Sequence, residues 1–180
     1  MRGRGSLSSE RKSEITEWYQ QHSDSIFRYI LLMVRDNQQA EDLTQETFIK
    51  AFNYYDNFER KANPKTWLFR IAHNLTIDFI RKQKPLELLK DLVFPGKNTN
   101  NTPEGIAEIK ENSTELYQAL GRLKSPYREV IILRKIREFS IEETGEILNW
   151  PQSKVKNTLF RALSALEKQL NKEGIIHEKN

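Results

Sequence analysis

A basic, amide-bearing and aromatic set of side chains recurs on one helical face between residues 152 and 170. At about 100° per residue, Ser153, Asn157, Phe160, Arg161 and Ser164 share a side, with Gln152, Lys154 and Lys156 beside them. Val155, Leu159, Ala162, Leu163, Leu166 and Leu170 form the opposite, apolar stripe. The polar set matches the chemistry of the DNA major groove. Arg and Lys donate to guanine, Asn pairs with adenine, and Phe can touch the thymine methyl. A phenylalanine on a polar face has no good core explanation. The plain alternative is a helical hairpin with a solvated charged face.

A second set lies earlier in the chain. Trp67, Arg70, Asn74, Asp78 and Arg81 fall on one helical stripe, preceded by Tyr54, Tyr55, Phe58, Arg60, Lys61 and Lys65. Cations interleaved with aromatics suit single-stranded nucleic acid, where each base offers a face and each nucleotide a phosphate. The same aromatics could instead complete a core, and for Trp67 the two readings stay open. A third set is acidic. Residues 36–46 carry Asp36, Glu41, Asp42 and Glu46 and no base, which fits either a different, basic partner or a solvated helix face.

No set suits catalysis. The chain has no cysteine, which excludes thiol chemistry, disulfides and cysteine-based zinc sites. His22, His73 and His177 are far apart and show no metal-ligand spacing. His22 reads as a core histidine. There is no Walker loop, nucleophile elbow or carboxylate pair, so neither an enzyme nor a cofactor is expected.

These side chains need helices to position them. Ile15, Trp18, Tyr19, His22, Ile26, Ile30 and Met33 predict a helix from about Ser9 to Val34. Residues 1–8 read as a flexible tail. A second helix is expected from about Gln38, with Leu43, Phe48, Ala51 and Phe52 apolar, and residues 53–62 form a loop. Asn63-Pro64 caps and opens a third helix whose core stripe is Leu68, Ala72, Leu75 and Phe79. Pro85 is expected to end it near Lys84. Residues 85–110 read as a linker, PGKNTNNTP being its most linker-like part. Helical signal resumes at about Glu111 and again at Ser125-Pro126. Ser140 and Glu143 form a capping-box pattern ahead of a helix that Asn149-Trp150-Pro151 breaks, and residues 173–180 are a polar tail. The expected fold class is all-α: two small helical domains, 9–84 and 111–172, joined by a flexible linker, the second a helix-turn-helix domain.

Charge supports two polyanion contacts. The 180 residues carry 29 basic and 25 acidic side chains, a net +4, unevenly placed. Residues 60–84 hold seven bases against Asp78, and residues 152–172 hold five against Glu167. No stretch is long and apolar enough for a membrane helix, and MRGRGSLSSERKS lacks the apolar core of a signal peptide.

Taken together, AEDLTQETFIKAF (40–52), TWLFRIAHNLTIDFIR (66–81) and SIEETGEILNWPQSKVKNTLFRA (140–162) resemble three motifs of bacterial RNA polymerase sigma factors of the extracytoplasmic-function group, in order and spacing. The resemblance runs from about Glu14 to Leu170. It implies that Asp42, Leu43, Gln45, Glu46 and Phe48 dock on core polymerase, with Leu43 or Phe48 as the apolar anchor. It implies that Phe58, the loop after it and Asn74 capture an extruded non-template base, within a single-strand surface of Phe58, Arg60, Lys61, Lys65, Trp67, Arg70, Asn74 and Arg81. It implies that Gln152, Ser153, Lys154, Lys156, Asn157, Phe160 and Arg161 read the upstream promoter element. It further implies a cytoplasmic factor serving an envelope stress response, restrained by an anti-sigma partner that can hold it at the membrane. A stand-alone dimeric DNA-binding regulator is the rival; it leaves the aromatic loop and the acidic motif unexplained. Departures from the family pattern are Gly145 in place of Ala, the polar Thr144, and Thr158 and Leu163 at positions often basic.

Overall fold

The computed structural model describes residues 4–93 and 111–172. The expected linker between 94 and 110, the tail after Lys172 and His177 lie outside the described residues. Every regular element among them is helical: α1 (Arg4–Val34), α2 (Asn37–Asn53), α3 (Pro64–Val93), α4 (Glu111–Arg122), α5 (Ser125–Ile131), α6 (Ile141–Leu148) and α7 (Gln152–Lys172), with a short 3₁₀ turn at Tyr55–Asn57. Two compact units result, Met1–Ile30 with Gln38–Lys97 and Leu31–Asn37 with Asn98–Asn180.

The first unit packs α1, α2 and α3 through the stripes that periodicity marks. Trp18, Ile26 and Ile30 on α1, Ala40, Leu43, Phe48 and Ala51 on α2, and Leu68, Phe69, Ala72 and Leu75 on α3 are buried. Asn63 opens α3 as expected, its Oδ1 accepting from Lys65 N at 2.9 Å. Two boundaries differ from expectation. Helix α1 begins at Arg4, inside the segment read as a tail. Helix α3 passes through Pro85 and continues to Val93. Proline removes one helical donor and strains one turn, but the leucine-rich run after it has high helix propensity and carries the helix on.

Buried in this unit, His73 is hydrogen-bonded through Nδ1 to the Tyr29 hydroxyl at 3.1 Å. Burial, and then Arg81, push its pKa down to about 4, so it is neutral in the fold. The unfolded chain takes up that proton near pH 6.5 and the folded chain only near 4, so stability falls as pH drops through that window. The loss approaches about 3 kcal/mol at the acid end. Urea titrations at stepped pH should show this slope, and the His73→Gln chain should lose most of it. His22, read as core, is only half-buried; burial and Lys65 lower its pKa.

In the second unit α4, α5, α6 and α7 enclose Ala119, Leu120, Val130, Ile131, Ile132, Leu133, Ile147, Val155 and Ala162. Arg128 donates to the Leu120, Gly121 and Leu123 carbonyls at 3.1, 2.7 and 3.0 Å, so a buried guanidinium satisfies acceptors left open where α4 ends. Helix α5 widens into a π turn over Ile132–Ile136, with Arg137 N bonded to Ile132 O at 2.8 Å. The Ser140–Glu143 capping box forms with both bonds, at 2.7 and 3.0 Å. Asn149 ends α6 in the left-handed region at φ 56°, which asparagine tolerates better than most residues.

The turn also explains Gly145. A Cβ there would sit 2.8 Å from the Trp150 carbonyl oxygen, so alanine is not equivalent at this position: the backbone of the turn would have to shift. Beside it, the hydroxyl of fully buried Thr144 has no hydrogen-bond partner among the described residues. Thr144→Val keeps the shape and removes that unpaired group. It should raise the unit's stability by about 1 kcal/mol in thermal unfolding.

Candidate nucleic-acid interface and docking face

Helix α7 is anchored by Val155, Ala162 and Leu166, each buried. That fixes its rotation and turns the other side to solvent. Gln152, Ser153, Lys154, Lys156, Asn157, Phe160 and Arg161 are all exposed. Phe160 is 78% exposed, far more than packing on its own fold would leave it. Lys154 Nζ lies 4.3 Å from the centre of the Trp150 ring, a cation–π contact that ties the first turn of α7 to the break before it. The N-terminal end of such a helix presents unpaired amides, which favour a phosphate. Thr158 is half-buried and Leu163 is 37% exposed, so neither adds cation density to this face.

On α3, Arg70, Asn74 and Arg81 are exposed along one side. Trp67 is half-buried, and so are Phe58 and Lys65. The aromatics form one cluster around buried Trp18: Phe58 meets Trp18 at 5.1 Å and Trp67 at 5.1 Å between ring centres, and Trp18 meets Trp67 at 6.1 Å. The question left open for Trp67 thus has a double answer. The ring packs on the fold and still keeps an exposed part. Arg60 and Lys61 are exposed, but Arg60 is engaged: its Nη1 lies 2.7 Å from Glu14 Oε1 and its Nη2 is 2.9 Å from the Tyr55 hydroxyl.

On α2 the sequence-chosen residues separate. Asp42, Gln45 and Glu46 are exposed. Leu43 and Phe48, each 6% exposed, are buried, Phe48 packing edge-on against the exposed Tyr19 ring at 4.9 Å. In the free chain both side chains are covered by the fold and lie beneath the acidic face. The apolar group on that face is Ile49, 60% exposed and one helical step from Gln45 and Glu46. Sequence reasoning passed over it because a lone isoleucine beside Phe48 looks like core. A groove of about 410 Å³ beside this face is lined by Tyr19, Ser23, Asp24, Phe27, Glu41, Thr44 and Gln45.

Comparison with known proteins decides the family. The Sigma-70 region 2 family matches residues 18–85, covering α2, the aromatic loop and most of α3. The Sigma-70, region 4 family matches residues 113–166, covering the helix-turn-helix. The ECF RNA polymerase sigma factor SigX of Bacillus subtilis is 36% identical over 157 residues, 84% of this chain and 81% of the relative. The chain belongs to the ECF RNA polymerase sigma factors. SigW of the same organism is 38% identical over 162 residues, 83% of this chain and 84% of the relative. The fold of this sigma factor matches the Bartonella quintana sigma factor RpoE, solved in complex with the anti-sigma factor NepR. The TM-score is 0.70 at 24% identity, over 88% of this chain and 97% of that one. It also matches CnrH, solved with the cytosolic domain of CnrY, at a TM-score of 0.69 and 21% identity over 93% and 94%. Among the described residues of this sigma factor, no group of His, Asp or Glu could hold a metal ion, and no helix is long and apolar enough to cross a membrane.

Proposed function

We propose that this chain binds the core of bacterial RNA polymerase and directs it to promoters as a transcription initiation factor without catalytic chemistry of its own. The first unit docks through Asp42, Gln45, Glu46 and Ile49 and holds the melted strand with Phe58, Lys61, Lys65, Trp67, Arg70, Asn74 and Arg81, Arg60 shaping the loop beside them. The second reads the duplex upstream element with Gln152, Ser153, Lys154, Lys156, Asn157, Phe160 and Arg161. A single observation carries the reading. In each of the three motifs the charged and amide side chains named here are exposed (Asp42, Gln45 and Glu46; Arg70, Asn74 and Arg81; Gln152, Lys154, Lys156, Asn157 and Arg161), while Leu43 and Phe48, Leu68 and Ala72, and Val155 and Ala162 are buried between them. Two modest DNA contacts on one chain reinforce each other through effective concentration. The chain works in the cytoplasm under an anti-sigma protein that holds it at the membrane, a reading supported by the complex of the similarly folded RpoE with the anti-sigma factor NepR.

The test is transcription. Core polymerase with this chain, given genomic fragments of the source bacterium, should start RNA synthesis at a few sites sharing one upstream and one downstream element. Starts no more selective than those of core alone would overturn the reading. Tight binding of the free chain to a palindromic duplex would favour the stand-alone regulator.

A further inference from the structure

The N-terminal part of α1 reaches the aromatic loop through more polar contacts than a packing role requires. Glu14 accepts from the Tyr55 hydroxyl at 2.7 Å and from Arg60 Nη1 at 2.7 Å, and Arg60 Nη2 sits 2.9 Å from the same hydroxyl. A turn earlier on α1, Arg11 Nη2 lies 2.6 Å from Asp56 Oδ2. The Arg11 guanidinium also lies 5.5 Å from the Phe52 ring centre and 5.4 Å from that of Tyr55. Arg60 covers the Tyr55 ring as well, at 5.8 Å. Two side chains of α1 thus hold three successive landmarks of the loop: Tyr55, Asp56 and Arg60. Phe58 lies between them, its backbone N bonded to Tyr55 O at 3.0 Å.

These bonds are poor candidates for stabilising the fold. Asp56 and Arg60 keep 77% and 67% of their side-chain surface exposed, and exposed ion pairs contribute little to stability. Ordering a loop before its ligand arrives is another matter, because it removes an entropy cost from binding. Glu14 is held below the usual carboxylate range: burial pulls its pKa up, but the bonds from Arg60 and Tyr55 outweigh that, so the brace is charged at neutral pH.

We propose that Arg11 and Glu14 are positioning residues for strand capture, bracing the 54–61 loop so that Phe58 meets an extruded base, with Glu14 keeping Arg60 off the phosphates. The inference rests on the strand-capture reading above. It assigns a role to α1 residues that none of the three motifs contains. Without Glu14 the loop loosens and Arg60 becomes free to pair with any phosphate. Base preference should fall while non-specific attraction holds or rises.

The experiment uses the chain assembled with core polymerase. A pool of random single-stranded DNA oligonucleotides is selected on this holoenzyme, and the winner is compared with oligothymidylate of the same length. Glu14→Gln should cut the preference for the winner about tenfold, the scale of one ordered stacking contact. It should also steepen the salt dependence of oligothymidylate binding by up to about 0.7, the value of one added phosphate contact. Arg11→Glu and Asp56→Arg should each lose preference, and their combination should recover it by restoring the pair. Wild-type preference and salt slope in Glu14→Gln and Arg11→Glu would overturn the proposal. So would an equal loss for both probes that the swap fails to recover, which marks a purely structural role. If the wild type selects no sequence, or Phe58→Ala leaves the preference intact, the strand-capture reading falls and the brace with it; a preference that needs Phe58 but ignores Glu14 defeats the brace alone.

Discussion

Core RNA polymerase should fail to retain the Asp42→Arg, Glu46→Arg chain under conditions that retain the wild type stoichiometrically. Both carboxylates are exposed on α2, four residues apart. Like charges at that spacing weaken an isolated helix slightly, so the fold does not depend on the pair. Reversing both changes the local charge by four units against a partner surface expected to be basic. Each like-charge pair at contact costs about 1 kcal/mol in water and about 4 at a partly desolvated interface. The expected loss of affinity is therefore at least about a hundredfold. Little in the fold stands in the way. Asp42 makes a 3.1 Å bond with Gln38 on its own helix, and Leu43, Thr44, Thr47 and Phe48 still pack. Gel filtration with core polymerase reads the outcome, with circular dichroism showing that the variant folds. Full retention of the folded variant would remove α2 from the docking surface. Ile49→Asp is the companion test: it should weaken retention where Leu43 and Phe48 substitutions would chiefly unfold the unit.

The second large effect belongs to α7. Lys156→Ala with Arg161→Ala should reduce run-off transcription from the chain's own promoter by about a hundredfold or more, since a base-reading contact contributes about 1–3 kcal/mol and each phosphate contact adds to it. Retention on core polymerase should be unchanged, because neither residue lies in the docking unit. Both side chains are exposed, while Val155, Ala162 and Leu166 keep α7 seated without them. Lys156→Ala alone should weaken binding to all sequences and flatten the salt dependence by about one unit if it meets a phosphate. Arg161→Ala alone should instead relax the preference at one base pair. Phe160 offers a third distinction: its exposed ring contributes to promoter choice only if it meets a thymine methyl, so Phe160→Ala should matter most at an A·T pair. Unchanged run-off transcription from the double variant would refute the reading face.

Local chemistry was legible in the sequence. The Ser140–Glu143 capping box, the Asn63-Pro64 start of α3, the break at Asn149-Trp150-Pro151 and the exposed side of α7 each depend on residues a turn or two apart. Hydrogen bonds and helical periodicity over that range are written into contiguous residues. The all-helical class and the sigma-factor motifs were legible for the same reason. Pro85 misled because a local rule, the lost donor, was weighed without the strong helix formers beyond it. Helix α1 begins at Arg4 although the polar run there shows no apolar stripe to announce it.

Only the tertiary structure decided which apolar residues face inward. Periodicity places Leu43, Phe48 and Ile49 on one helix but cannot say that the first two enter the core and the third faces solvent, since that depends on where α1 lies across α2. Nor can it see that the Trp150 carbonyl comes within 2.8 Å of a Cβ at Gly145, which turns a small residue into a required one. The bonds of Arg11 and Glu14 to Asp56, Tyr55 and Arg60 span 45, 41 and 46 residues. No spacing rule links positions so far apart. Their meeting exists only once the packing of apolar stripes has brought α1 alongside the loop, so the sequence determines the motifs and the packed core determines which residues hold them in place.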